Sequence, residues 1–541
     1  MNRAQKYFFN AMLMSIGGIL IRAVSVAFNV FVSSKVGAEG MGLLTLTSGI
    51  YGFSITLATS GINLAVVRLV SSAMPENNED ISKNSQGCVK KIMKNAIFYC
   101  LFFSIIASAL LFFLSDFIGN NLLNDSRTIS SLKLMSFSLV PISISSALNG
   151  YFSAVRKAYK NVIIQLLEQG VKIGVITALL ITIAPAGLEY ACIAVVAGGA
   201  LAEGFSLIFS AVFYIFDRWG FTRKSSKTQG GVSYKYGFFV KSSGNLRYDT
   251  KITPIALPVA ISAYFRSALT TVEHLLIPWG LKRSGINSAS ALASYGILHG
   301  MVFPLLLFPS AVLGAFSSLL VPELSYAMAS KSSERIKRIV TKVFNLTLFF
   351  AFGVSGIFIC FSHEIGIFFY GSAEAGEYIK LLSPLIPLMY LDGAVDAMLK
   401  GLGEQVYTMR VNIVDSLISV VLIVFLLPPF GISGYIGVIF ITELINTSFS
   451  ILKLLNVTEI KASITKWILK PILSVVLATV ISRFLYNFVF IKILEGKALL
   501  ILEGFLTLCL YLTFSLVTKS LSSNDIYFFK SLFKRDKSKN T

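Results

Sequence analysis

Of 541 residues, 55% are apolar and only 14% charged, and the mean hydropathy is +0.74. Spans of about 20 apolar residues joined by short connections fill such a length as roughly fourteen membrane helices, which excludes a soluble catalytic domain. The net charge of +20, from 47 basic and 27 acidic residues, is read as cytoplasmic loop charge facing anionic lipid headgroups rather than as a nucleic-acid surface.

The chain opens with Arg3 and Lys6 before an apolar run too long for a cleaved leader, so residues 9–33 are the first expected span. Runs at 41–66, 94–115, 134–153, 161–184 and 189–215 complete a first set of six. Residues 216–253 follow, a loop with eight basic residues, among them Arg223, Lys224, Lys227 and Lys251. Eight more runs lie at 254–280, 291–323, 338–361, 378–399, 409–428, 432–455, 467–490 and 498–518, and a basic tail occupies 519–541. The expectation is an all-α polytopic membrane protein. Its parts are an N-terminal lobe over 1–215, a C-terminal lobe over 254–455, and two further helices within 456–518. With both termini placed in the cytoplasm, basic residues favour the inside loops by about four to one, as the positive-inside rule requires. Trp219, Trp279 and Trp467 sit at span ends, where aromatic anchors belong.

Ionisable residues inside spans are costly and normally face a cavity or a partner. Arg22 in LIRAVSVAFNVFVSSKVG and Arg266 in YFRSALTTVEHLLIPWGLK hold matching positions in the first and seventh runs, a weak internal repeat. Arginine stays protonated, and its planar fork fits phosphate oxygens, so two such residues suit a phosphorylated substrate. The competing reading has each neutralise a nearby acid such as Glu273.

Glu168 and Lys172 are spaced for an intrahelical ion pair. Asp392, Asp396 and Lys400 repeat that spacing in the tenth run, where two carboxylates also suit a coupling cation, Na+ or H+. Glu273 beside His274, together with Glu203, Asp415 and Glu443, are further polar positions, more economically read as satisfied within the helix bundle. His299 titrates near neutral pH when unperturbed, but a lone helix histidine is usually structural. Pro258, Pro304, Pro309, Pro384 and Pro387 interrupt runs, which suits helices that bend during transport and is also tolerated in static bundles.

The five cysteines and three histidines are scattered, with no CxxC or ligand spacing, so neither disulfides nor a metal site is expected. There is no GxxxxGK[ST] and no nucleophile motif. The chain reads as a transporter rather than an enzyme, with no cofactor, driven by an ion gradient, the membrane potential or the substrate's own gradient.

KVGAEGMGLLTLTSGIYGF at 35–53, SGINLAVVRLVSSA at 60–73 and YGILHGMVFPLLLFPSAVLGAFSSLLVPELSYAMA at 295–329 resemble the stage V sporulation protein B family. EQGVK at 168–172 is similar to that family's fifth-span pattern. The family lies in the multidrug/oligosaccharidyl-lipid/polysaccharide (MOP) exporter superfamily with the MurJ-type lipid II flippases. The resemblance implies two six-helix lobes around a central cavity, two extra C-terminal helices, and transport of an undecaprenyl-pyrophosphate-linked saccharide. It implies lipid II for peptidoglycan, in growth or in spore cortex synthesis, and a groove for the prenyl tail near 467–518. Arg22 falls where MurJ-type proteins carry a first-span arginine, here within IRAVSV. Their following Arg-Asp pair is Phe28 and Asn29 here, and their eighth-span arginine aligns with Pro304. Arg266 and Arg68 are therefore assigned to the pyrophosphate alongside Arg22 and Asn29.

Three alternatives stand beside this one. A flippase for teichoic or capsular polysaccharide lipids needs the same anionic headgroup site. A cation-drug antiporter would place carboxylates in the first span, where Arg22 and Asn29 stand. A scaffold recruiting cell-wall synthases would use the basic 216–253 loop. The expected partners are membrane lipids, the polyprenyl-linked substrate and cell-wall synthases.

Overall fold

The computed structural model describes residues 3–73, 83–155, 157–225, 252–460, 463, 465–488, 497–518 and 520. Lys227, Lys251 and the tail from 521 onward lie outside them. The chain divides into two compact units: Met1–Phe28 with Lys35–Pro278, and Asn29–Ser34 with Trp279–Thr541.

In chain order the first seven helices are α1 (Arg3–Thr59), α2 (Ile62–Ala73), α3 (Lys83–Phe117), α4 (Arg127–Ala154), α5 (Tyr159–Ile183), α6 (Leu188–Ser225) and α7 (Thr253–Arg283). At about 1.5 Å per residue, the 57 residues of α1 would be close to three bilayers long if straight. They are not straight. Gly37 leaves helical geometry at φ 73° and ψ −180°, a conformation open to glycine, and divides α1 into two arms. The arms correspond to the first two expected runs. Within the first unit, a core of Ile62, Val66, Ile92, Leu148, Phe152 and Ala256 joins α2, α3, α4 and α7. Helix α4 contributes small polar residues that let backbones approach and spend their hydroxyls locally or across the helix interface. Ser143 Oγ donates to the Ala58 carbonyl at 2.7 Å, Ser138 hydrogen-bonds the Tyr51 hydroxyl, and Ser108 of α3 donates to the Ser136 carbonyl at 2.8 Å.

The second unit contains α8 (Ser288–Tyr295), α9 (Phe303–Leu307), α10 (Ser310–Ala329), α11 (Ser333–Cys360), α12 (Ser362–Tyr370), α13 (Ala373–Leu382), α14 (Ile386–Gly401), α15 (Gln405–Thr458), α16 (Lys470–Phe488) and α17 (Lys497–Val517). A π-helical stretch, Gly296–Val302, links α8 to α9, so the HGMVFPLLLFP segment is interrupted as its prolines predict. Helix α15 repeats the device of α1: Gly431, at φ 56° and ψ −134°, divides its 54 residues into two arms. Leu324, Val340, Phe344, Val395, Met398 and Leu454 form the core. Helices α16 and α17 pack against α11 through Val475, Ala478 and Tyr511, whose ring stacks on Phe349 at 4.9 Å.

Among the described residues eleven helices are long and apolar enough to cross a membrane. This is a multi-pass membrane protein. The chain stays helical through the runs around Gly37 and Gly431, so two pairs of expected runs each form one long helix. Trp467 lies at the start of the candidate span Thr465–Leu485, as expected, and it is also part of the core, 6% exposed and stacked on Phe344 at 4.7 Å. Trp279 is exposed, with the Arg283 guanidinium 5.4 Å from its ring.

Candidate functional site

In the first arm of α1, helical spacing separates two faces. Ile16, Leu20 and Val24 form an exposed apolar stripe at i, i+4 and i+8. Arg22, Ser25, Asn29 and Ser33 fall on the opposite side at i, i+3, i+7 and i+11. An exposed apolar stripe goes to lipid, which turns the polar face away from it. Arg22 is exposed and has no hydrogen bond or ion pair among the described residues. Asn29 is half-buried, and its Oδ1 accepts no hydrogen bond. An arginine with nothing to neutralise it needs water or an anionic ligand.

Helix α7 presents three faces. One packs on the second arm of α1. Ala256 and Ala260 are fully buried there, Tyr264 hydrogen-bonds Ser60, Thr56 Oγ1 donates to Ser267 Oγ at 3.1 Å, and Thr271 Oγ1 donates to the Gly49 carbonyl at 3.0 Å. His274 also lies on this face, against Gly49. A second face, Leu257, Ile261, Phe265 and Val272, is exposed and apolar. The third carries Ser262, Arg266, Thr270 and Glu273 at i−4, i, i+4 and i+7. Arg266 is exposed and Glu273 half-buried on this face. Arg68, on α2, is exposed and without a partner among the described residues.

The expected Glu168–Lys172 pair does not form. Glu168 Oε2 instead accepts a hydrogen bond from Ser206 Oγ of α6 at 2.7 Å. Glu168 and Lys172 both act electrostatically on Glu203 of α6, so two carboxylates and one ammonium make up a polar cluster between α5 and α6. In the second unit Asp396 does pair with Lys400, at 3.4 Å. Asp392 turns elsewhere, its Oδ2 accepting from Asn446 Nδ2 at 3.4 Å. Glu443 interacts with the charges of Asp392 and Asp415, and Thr447 Oγ1 donates to it at 3.1 Å. Asp392 therefore shares an acidic cluster with the two arms of α15 rather than a site with Asp396. His299 Nε2 lies 2.5 Å from the Tyr435 hydroxyl, within the π-helical stretch. No group of three His, Cys, Asp or Glu side chains converges on a metal position among the described residues.

Three charged clusters escaped sequence reasoning. Asp217 of α6, 8% exposed, accepts from Lys157 at 2.8 Å and Lys160 at 2.6 Å. Arg127 holds Glu39 at 2.8 Å and Asp125 at 2.7 Å. Arg483 of α16 pairs with Glu364 of α12 at 2.7 Å. Each joins residues distant in sequence or at a turn, where no fixed spacing announces a partner. Only Glu503, alone in the apolar LLILEGFL, carried a visible signal.

Residues 9–328 match the polysaccharide biosynthesis protein family, and residues 280–425 match the MatE family. Stage V sporulation protein B of Bacillus subtilis (strain 168) is 25% identical over 433 residues, 80% of each chain. The lipid II flippase MurJ of the same organism is 23% identical over 430 residues, 76% of this chain and 75% of that one. In fold, the chain is similar to a lipid II flippase MurJ in an inward closed conformation, with a TM-score of 0.64 and 14% identity over 97% of this chain and 100% of that one. It is also similar to a multidrug resistance MATE family transporter of the MOP superfamily in an inward-facing conformation, with a TM-score of 0.57 and 13% identity over 83% and 100% of the two chains.

Proposed function

The chain belongs to the polysaccharide biosynthesis protein family of the MOP exporter superfamily, as a transporter and not an enzyme, and we propose that it flips an undecaprenyl-pyrophosphate-linked saccharide, with lipid II as the substrate. The observation that carries this reading is the pair of polar faces bearing Arg22 and Arg266, each on a helix whose separate apolar face is exposed. A pyrophosphate crossing hydrocarbon without partners meets a barrier far above thermal energy. Two permanently charged forks lower that barrier by binding phosphate oxygens, while the prenyl chain stays in lipid. Arg68 and Asn29 extend the set. The exposed apolar side chains of α16 and α17, among them Val480, Phe484, Phe505 and Leu508, offer the tail a surface.

In this reading the termini are cytoplasmic, transport proceeds by alternating access, and a cation or proton supplies the drive. The acidic cluster of Asp392, Asp415 and Glu443 is the coupling position in the second unit, with Glu168, Lys172 and Glu203 as the polar network of the first. The test is complementation in cells depleted of their own lipid II flippase, scoring externally accessible precursor. Wild type should expose lipid II, and Arg22→Ala at equal expression should not. Correctly inserted wild type that exposes none would overturn lipid II as the substrate.

A further inference from the structure

Helices α16 and α17 meet α12 in a cluster of one basic and two acidic side chains. Arg483 of α16 donates from Nη2 to Glu364 Oε1 of α12 at 2.7 Å, and its Nη1 lies 3.7 Å from Glu503 Oε1 of α17. Glu503 is 1% exposed, and neither of its carboxyl oxygens receives a hydrogen bond. The groups facing the cluster come from every neighbouring element. Cys360 at the end of α11 interacts with all three charges, and the Phe361 ring lies 5.7 Å from the guanidinium. On the hairpin itself Thr507 Oγ1 donates to Ser482 Oγ at 2.6 Å, a neutral contact that adds no charge. His363, beside Glu364, is exposed and forms no ion pair among the described residues.

One guanidinium thus faces two carboxylates. Arginine does not give up its proton, so the ionised cluster would hold a net negative charge, and its buried member lacks the donors that make a buried carboxylate tolerable. A bound metal cation is a poor remedy beside a fixed positive charge, whereas a proton on the carboxylate cancels the excess directly.

We infer that Glu364, Arg483 and Glu503 form a proton-binding site, with the proton on Glu503, that governs how firmly the α16–α17 hairpin is held against α11 and α12. Glu503 is neutral while the hairpin is docked and ionises in water when it is released. Docking is then strongest at low pH and weakens by about tenfold per pH unit once pH exceeds the ordinary carboxylate range, about 4, where the released carboxyl ionises, and the loss levels off when the docked carboxyl titrates as well. Glu364 sets the sign of the imbalance. Without it one guanidinium faces one carboxylate among the described residues, and no proton is required.

The test is hydrogen–deuterium exchange on the full chain in lipid nanodiscs, following peptides within 497–517 as a function of pH after correction for intrinsic exchange. Wild type should lose protection as pH rises. Glu503→Gln, which fixes the neutral state, should stay at the low-pH level throughout, and Glu364→Gln should also flatten the profile. Protection that is independent of pH in wild type overturns the site, as do variants that keep the wild-type slope. If Glu503→Gln fails to insert, Glu364→Gln decides the question, because it leaves the buried carboxyl in place and removes only the excess charge.

Discussion

Replacing Asp217 by asparagine removes one negative charge that two lysines share. Lys160 is 12% exposed, donates at 2.6 Å, and has its ammonium 5.5 Å from the Phe152 ring and 5.4 Å from that of Phe213. Lys157 is 31% exposed and donates at 2.8 Å, so water takes over more of its loss. Breaking a buried pair from one side costs about 3–5 kcal/mol. With Lys157 discounted, about 3 kcal/mol is the expected loss, and at about 1 °C per kcal/mol for a chain of this length the unfolding midpoint should fall by about 3 °C. The assay is thermal unfolding of the purified full chain in detergent. Lys160→Met should cost more than Lys157→Met, since its charge is the more buried and the rings around it lose their cation. An Asp217→Asn midpoint within a degree of wild type, or the reverse order of the two lysines, would refute this account of how the α4–α5 connection is fixed to α6.

Further expectations follow from the same structure. Gly431→Ala places a side chain in a backbone conformation reserved for glycine and should cost about 1–3 kcal/mol, read as a lower midpoint, whereas alanine at the freely helical Gly437 should cost nothing measurable. Ser206→Ala removes the donor to Glu168 and should destabilise by about 1 kcal/mol, an effect that should vanish in a Glu168→Met background, which lacks the acceptor, if the hydrogen bond is its only source. If the acidic cluster of the second unit binds the coupling cation, the driving ion should raise the wild-type midpoint with its concentration, and Asp392→Asn should lose that response; equal shifts in both proteins would place the ion elsewhere.

Helix positions were legible in the sequence because apolar length is a sufficient signal in a membrane, and the expected runs, in their described parts, fall on helical segments. The joins at Gly37 and Gly431 were not, because a glycine within an apolar run does not announce whether the helix bends or continues. Arg22 and Arg266 were legible as isolated charges in apolar text. Their faces were not, since the exposed Leu20 and Phe265 that orient them look in sequence like any other span residue. The i, i+4 rule succeeded for Asp396 and Lys400 and failed for Glu168 and Lys172. The neighbouring helix α6 brings Ser206 into hydrogen-bond range of Glu168, and a short tertiary contact outweighs a favourable spacing. Asp392 likewise follows Asn446 rather than its own helix. Trp467 was legible as a span-end residue, but its stacking on Phe344 was not, because a partner distant in the chain leaves no trace in the local sequence.

The most direct test of the central claim is a flipping assay on the purified chain in proteoliposomes, using a fluorescent polyprenyl-pyrophosphate-linked saccharide. Wild type should move the headgroup, Arg22→Ala should lose most of the rate, and Arg22→Lys, which keeps the charge but not the fork, should fall between them. A rate in Arg22→Ala equal to that of wild type would contradict the assignment of this polar face to the pyrophosphate.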